Sequence, residues 1–109
     1  MGGLSKLQLK RALEYIEANL DAEVHLAELS NAVGLSAFHF AKLFKESTGA
    51  SPHQYLLQRR IERVKDLLRN SEMTLSEISL QAGFADQSHL TNVFRRFVGI
   101  SPGKFRASL

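Results

Sequence analysis

Four polar side chains near the C-terminus have the chemistry needed to hydrogen-bond nucleic-acid bases. They lie on a predicted helix from Asp86 to Val98, whose apolar positions recur at helical spacing and form a buried face. Glutamine and asparagine suit the N6 and N7 atoms of adenine, whereas serine and threonine hydroxyls bind bases or phosphates. The candidates for base contact are therefore Gln87, Ser88, Thr91 and Asn92. A polar face that is merely solvated is the alternative.

The chemistry of most enzymes and metal sites is missing from the sequence. It contains no cysteine, which excludes disulfide bonds, thiolate zinc fingers and cysteine nucleophiles. The 4 histidines form no i, i+4 pair, so a metal site is not expected. The sequence also has no phosphate-binding loop, paired-carboxylate pattern or hydride-cofactor fingerprint. We therefore predict a protein that is not an enzyme and takes no cofactor.

Composition and charge indicate one folded domain with a polyanionic partner. The 109 residues include 33 Leu, Ile, Val and Phe side chains, which are enough for a core. Residues 1–55 carry 5 basic and 6 acidic side chains, whereas residues 56–109 carry 9 basic and 5 acidic. Such concentrated positive charge favours nucleic acid or an acidic membrane surface, and an ordinary solvated face is the alternative. No uncharged stretch exceeds 13 residues and no secretory signal is evident, so a cytoplasmic location is expected.

Helices are the elements that must position these side chains. Apolar residues recur with a period near 3.6 in segments separated by Gly, Ser, Asn or Pro, which predicts an all-α domain of about seven helices. Residues 26–35 align with residues 75–84 at an offset of 49, and beyond Ala85 the offset becomes 50. The sequence is therefore a duplicated unit.

Each copy has the pattern of a helix-turn-helix, with a short helix, a glycine-containing turn and a second, capped helix. In the second copy, Thr74 and Glu77 predict a capping box and Gly83 suits a turn with positive φ. Asp86 is the predicted cap of the next helix. The equivalent residues of the first copy are His25, Glu28, Gly34 and Ser36. Histidine is a poorer cap than threonine, so the first copy has the weaker helix start.

A long amphipathic helix joins the two copies. It is predicted to follow the Ser51-Pro52 cap and to run to about Asn70, with a buried stripe formed by Leu57, Ile61, Val64 and Leu68. Its other face carries Arg59, Arg60, Arg63, Lys65 and Arg69. At about 1.5 Å per residue this linker helix spans roughly 28 Å, close to the roughly 34 Å of one DNA turn. The predicted organisation is a first helix-turn-helix unit at 5–50, the linker helix at 51–70 and a second unit at 71–109.

The segment from Gly83 to Arg106 resembles the signature of the AraC/XylS family of bacterial transcription regulators. It contains a glycine followed by an aromatic residue, a polar cap, a Phe-Arg-Arg run, Gly-Ile-Ser-Pro and a closing arginine. The resemblance spans nearly the whole chain. It implies two helix-turn-helix subdomains whose recognition helices enter successive major grooves of double-stranded DNA, with RNA polymerase as a further partner. Together with the linker length, it predicts that a monomer binds one asymmetric site of about two turns.

The first recognition helix, predicted over residues 36–47, supplies further candidates for base contact. Phe40, Leu43 and Phe44 lie on one face and are assigned to the core. Base contacts are predicted on the other face, because lysine donates to guanine O6 and N7 and apolar groups contact thymine methyls. The residues are Phe38, Ala41 and Lys42. A core position is the alternative for Phe38, whose place in the resembled family often faces DNA.

Phosphate contacts are predicted at the starts of the recognition helices and at basic residues, which position the domain without reading sequence. The set is Ser36, His39, Lys45, Asp86, His89, Arg95, Arg96, Lys104 and Arg106. The resemblance supports Arg106 in particular. His39 and His89 occupy equivalent positions in the repeat, where packing against the turn is the alternative to phosphate contact.

Two other functions are weighed against DNA binding. A related domain organisation occurs in methyltransferases that sense DNA alkylation, but their chemistry needs an acceptor cysteine that this sequence lacks. A protein-interaction module that has lost base reading is the second, and salt-dependent binding to duplex DNA separates it from a DNA-binding domain. Members of the resembled family usually carry an N-terminal effector or dimerisation domain, but some consist of little more than the DNA-binding domain. Between these two, the Gly2-Gly3 start favours an excised C-terminal domain.

Overall fold

The computed structural model describes residues 2–109, which form seven helices and no strand. In chain order the helices are α1 (Lys6–Ala18), α2 (Leu26–Ala32), α3 (Ala37–Thr48), α4 (Pro52–Asn70), α5 (Leu75–Gln81), α6 (Gln87–Val98) and α7 (Pro102–Ala107). The all-α prediction is confirmed, and the linker helix begins and ends at the predicted residues. None of the helices in this described part is long and apolar enough to cross a membrane.

The chain divides into two compact units, one ending at Leu56 and the other running from Leu57 to Leu109. The division falls within α4, so this helix contributes to both units. The first unit has its own core, made of Ala12, Ile16, Leu20, Leu29, Val33, Phe40, Phe44 and Leu56. The second unit has a separate core, made of Leu57, Ile61, Val64, Leu68, Ile78, Ala82, Phe84, Leu90, Val93 and Phe94. In each unit the second helix of the helix-turn-helix motif, α3 or α6, therefore packs against apolar side chains of that unit.

The turns of the two helix-turn-helix motifs have the same geometry. Gly34 and Gly83 adopt φ values of 73° and 87°, in the left-handed region that glycine enters without a side-chain clash. The residue after each glycine then donates its backbone N–H to a buried serine carbonyl, at 3.0 Å to Ser30 and 2.9 Å to Ser79. The turn predicted from the repeat is confirmed in both copies.

Side-chain caps fix where the helices begin, as the sequence predicts. The Thr74 hydroxyl accepts from the N–H of Glu77, whose carboxylate accepts from the N–H of Thr74, both at 3.1 Å. The hydrogen bond from the backbone N–H of Thr74 lowers the pKa of Glu77 below its ordinary value. Within residues 2–109, His25 makes no side-chain capping bond to α2. The expected difference between the two copies is confirmed.

In the first unit a side-chain hydrogen bond, called here the Tyr15 tie, joins two helices and is not predicted by the hydrophobic periodicity. The Tyr15 hydroxyl of α1 donates a hydrogen bond to the Glu28 carboxylate of α2. This bond stabilises the protonated phenol and raises the pKa of Tyr15. Since α2 lacks a side-chain cap at His25, the tie to α1 helps to hold it in place.

The apolar stripe of α4 is buried in the second unit as predicted, but one of its charged residues is buried too. Arg60 is only 7% exposed, although the sequence predicts it on the charged face. It lies three residues after Leu57 and four before Val64, so helical geometry puts it at the border of the stripe. Arginine can cover apolar surface there with its aliphatic stem.

Candidate nucleic-acid interface

The polar face of α6 has the exposure expected of a surface that contacts a ligand. Its opposite face is anchored by Leu90, Val93 and Phe94, which are at most 2% exposed. The four predicted base-contact residues line one shallow groove, with three of them exposed and Thr91 half-buried: Gln87, Ser88, Thr91 and Asn92. The structure therefore brings all four together on one surface of a rigidly packed helix.

The start of α3 presents an exposed aromatic side chain. Phe38 is 83% exposed, so the alternative that it belongs to the core is wrong. Phe40 and Phe44 of the same helix are fully buried, and their rings pack at 5.5 Å between centroids. Lys42 is exposed, whereas Ala41 is half-buried at the edge of an apolar cavity of about 360 Å³ within the first unit. The predicted contacts of α3 thus form a surface dominated by Phe38 and Lys42.

Four of the predicted phosphate-contacting cations are free to reach a polyanion. Lys45, Arg95, Arg96 and Lys104 are all exposed. The first three lie in the last turns of α3 and α6, and Lys104 lies in α7. Their flexible, solvated charges fit the sequence-independent part of nucleic-acid binding.

The two predicted N-caps differ in what they can offer a phosphate. The Ser36 hydroxyl accepts from the backbone N–H of His39 at 3.2 Å and keeps its own proton to donate. The Asp86 carboxylate accepts from the N–H of His89 at 2.8 Å, and an ionised carboxylate has no proton to donate. A direct phosphate contact of Asp86 is therefore corrected to a capping role, because two anions repel each other.

The equivalent histidines of the two recognition helices are both exposed. The His89 ring packs edge-on against Phe84, with 5.3 Å between ring centroids. Since Phe84 follows the glycine of the turn, this contact favours turn packing for His89. His39 stays a candidate for phosphate contact.

Arg106 is placed differently from the prediction. Its guanidinium donates to four backbone carbonyls, those of Leu67 at 3.4 Å, Leu68 at 3.3 Å, Ser71 at 3.1 Å and Met73 at 2.6 Å. These oxygens lie in the last turn of α4 and in the segment that follows it. The predicted phosphate contact is corrected, because the donors that would bind a phosphate are directed into the protein.

A metal centre does not emerge from the geometry. Residues 2–109 contain no group of three or more His, Asp or Glu side chains that could hold a metal ion. What the structure does assemble is a pair of helix-turn-helix motifs, each presenting the exposed face of its second helix.

Comparison with known proteins agrees with this arrangement. A family described as a helix-turn-helix domain matches residues 29–108. The chain is 31% identical over 94 residues to the multiple antibiotic resistance protein MarA of Salmonella typhimurium, covering 86% of this chain and 74% of MarA. The chain belongs to the AraC-type helix-turn-helix family. It is an all-α DNA-binding domain of that type.

Other AraC-type relatives show the domain within longer proteins and on DNA. The probable transcriptional regulator LumQ of Photobacterium leiognathi is 37% identical over 92 residues, which cover 84% of this chain and 37% of LumQ. The chain spans about a third of the length of the first curated relatives it matches, between 34% and 38%. The DNA-binding domain of AdpA, solved in complex with a target DNA, superposes with a TM-score of 0.87 at 27% identity, covering 93% of this chain and 91% of that one.

Proposed function

We propose that this AraC-type domain binds one asymmetric duplex DNA site of about two helical turns as a monomer. In this proposal α3 and α6 enter successive major grooves. The observation that carries it is that α3 and α6 are built alike but expose different residues. Each helix has 12 residues, an N-cap, a C-cap glycine and a buried aromatic face. Matched scaffolds present the two helices in the same way, whereas their different exposed residues suit different base sequences.

The roles of the exposed side chains follow from their chemistry. On α6, Gln87 and Asn92 have the paired donor and acceptor that adenine N7 and N6 require, and the hydroxyls of Ser88 and Thr91 are more permissive partners. On α3, Lys42 donates to guanine while the Phe38 ring, with Ala41 beside it, contacts thymine methyl groups. The remaining predicted contacts position the domain on phosphates: Ser36, His39, Lys45, Arg95, Arg96 and Lys104.

The length of α4 supports a site that spans neighbouring grooves. Its 19 residues form one uninterrupted helix of about 28 Å at about 1.5 Å per residue. Successive major grooves on one face of DNA are separated by roughly 34 Å. We propose that α4 acts as the spacer between the two recognition helices.

The relatives support a setting in transcription regulation. MarA and LumQ are bacterial proteins, and LumQ is named as a probable transcriptional regulator. We propose that this domain acts on DNA in the bacterial cytoplasm, with RNA polymerase as a protein partner, and that its chemistry is recognition rather than catalysis. No cofactor takes part in this proposal.

Selection from a random pool of DNA duplexes tests the proposal directly. We expect the purified domain to enrich one sequence without two-fold symmetry, and light scattering of the complex to show one protein per duplex. Binding should weaken steeply with salt, because phosphate contacts release counterions. Enrichment of a palindrome bound by two copies would overturn the monomer proposal, and absence of any duplex binding would favour the protein-interaction module.

Single substitutions separate readers of bases from contacts to phosphate. Lys42→Ala and Asn92→Ala should each relax selectivity at different positions of the selected site, by about 1–3 kcal/mol for a bidentate contact. Arg95→Ala should weaken all sequences alike and reduce the slope of log affinity against log salt by about one unit. A uniform loss for Lys42→Ala would move this lysine to the phosphate contacts.

A further inference from the structure

The contacts of Arg106 fasten α7 to the C-terminal end of α4. The last four carbonyls of a helix have no partner within it, and arginine offers five N–H donors in a fixed planar arrangement. Here the three guanidinium nitrogens reach two carbonyls of the last turn of α4 and two of the following segment, at 2.6 to 3.4 Å. These are contacts across 33 to 39 residues of sequence. They fix the direction in which α7 packs within the second unit.

The residue next to Arg106 connects α7 to the recognition helix α6. The Phe105 ring packs edge-on against Phe94 of α6, with 5.5 Å between centroids. On α4, the Arg69 guanidinium carbon lies 5.5 Å from the Phe105 ring centroid, within the range of a cation–π contact. Phe94 is fully buried and stands on the face of α6 opposite its exposed residues. A displacement of α7 would therefore be transmitted to the inner face of α6.

We propose that Arg106 is a positioning residue for DNA reading, which holds α6 in its reading orientation through Phe105 and Phe94. This inference rests on the proposed function, because it assigns Arg106 to the orientation of the base-reading surface and not to contact with DNA. Bidentate hydrogen bonds to base edges require accurate placement of the donor and acceptor, so a small rotation of α6 costs selectivity before it costs phosphate contacts.

The test compares three substitutions in α7 on the site selected by the wild-type domain. The α6 half of the site is identified as the half where Asn92→Ala relaxes selectivity. Selectivity in the α6 half is the affinity for the selected site divided by the affinity for a site with base substitutions in that half. For Arg106→Ala we expect this ratio to fall about tenfold, the size expected for one good base contact. The salt slope and the selectivity of the α3 half should stay unchanged. Lys104→Ala, an exposed cation on the same helix, should do the reverse and lower the salt slope by about one unit.

Three results separate the possible roles of Arg106. If Arg106 acted only on stability, the variant would lose active protein, but the affinity ratio of the folded fraction would not change, and the inference would be overturned. If Arg106 contacted phosphate, its salt slope would fall as in Lys104→Ala, which would overturn it too. Phe105→Leu keeps the four carbonyl bonds available and should reproduce the loss of α6 selectivity, so it serves if Arg106→Ala does not fold. Failure of the wild-type domain to select any sequence would overturn the proposed function and this inference with it.

Discussion

Truncation of an equivalent core aromatic in each unit should destabilise that unit alone. Phe44 and Phe94 lie 50 residues apart in the repeat, and both are fully buried. Phe44 also packs against the rings of Phe40 and Tyr55, with centroid distances of 5.5 and 5.4 Å. Replacement of a buried phenylalanine by alanine costs about 3–5 kcal/mol, through the lost burial and the cavity that remains.

This cost is comparable to the whole stability of one unit. At roughly 0.05–0.15 kcal/mol per residue, a unit of about 55 residues has about 3–8 kcal/mol. Phe44→Ala should therefore leave the first unit largely unfolded or close to it. The core of the second unit contains none of the affected side chains, so its stability should persist.

Hydrogen exchange of backbone amides distinguishes the two units in one experiment. In Phe44→Ala we expect loss of protection in α1 and α3 with retention in α5 and α6, and the opposite pattern in Phe94→Ala. Lys45→Ala, at the exposed position next to Phe44, is the matched control and should leave both units protected. Equal loss of protection across both units in either phenylalanine variant would refute the reasoning, since it would mean that the two cores unfold as one.

Three further predictions concern caps and turns. His25→Ser should supply the missing side-chain cap of α2 and raise the free energy of unfolding by about 0.5–1 kcal/mol, visible as a higher melting temperature; no change would indicate that the Tyr15 tie already fixes this helix start. The pKa of Glu77 is lowered in the folded state. The stabilising effect of its carboxylate is therefore complete when the pH is above the ordinary glutamate pKa, and it is lost as the pH falls through the pKa of the folded state. In Glu77→Gln the urea midpoint should fall less between neutral and acid pH than it does in the wild type. An unaltered fall would contradict this prediction. Gly34→Ala should cost about 1–2 kcal/mol from backbone strain alone, since within residues 2–109 no atom beyond Gly34 and its two chain neighbours lies within 4 Å of the added carbon. An unchanged urea midpoint would show that the turn relaxes.

The limits of the helices could be predicted because local chemistry sets them. Serine, threonine and aspartate caps bind the N–H groups of their own first turns, and the Ser-Pro pairs begin α4 and α7 where expected. The buried faces follow from helical period for the same reason. The predicted exposure of the α6 residues is confirmed for Gln87, Ser88 and Asn92, since the polar side of an amphipathic helix is known once its apolar side is known, whereas Thr91 is half-buried.

Contacts between distant segments could not be predicted from the same information. In the sequence Arg106 is one more cation in a basic half of the chain, because it meets the four carbonyls that it binds, 33 to 39 residues away, only when α7 packs against the end of α4. Helical period alone also misplaces residues at the border of a face. Arg60, which the period places on the charged face of α4, is buried beside its apolar stripe.

The matching turns of the two motifs give the outward positions of their second helices equivalent places in the repeat. The helices α3 and α6 lie in register at an offset of 50 residues, and the same buried-serine and glycine turn precedes each of them. The outward positions 38, 41 and 42 of the first helix then correspond to 88, 91 and 92 of the second, and these are not core positions in either unit. If these outward residues read bases as proposed, exchange of the two sets between α3 and α6 would reverse the order of the two half-sites in the preferred DNA without altering either buried face.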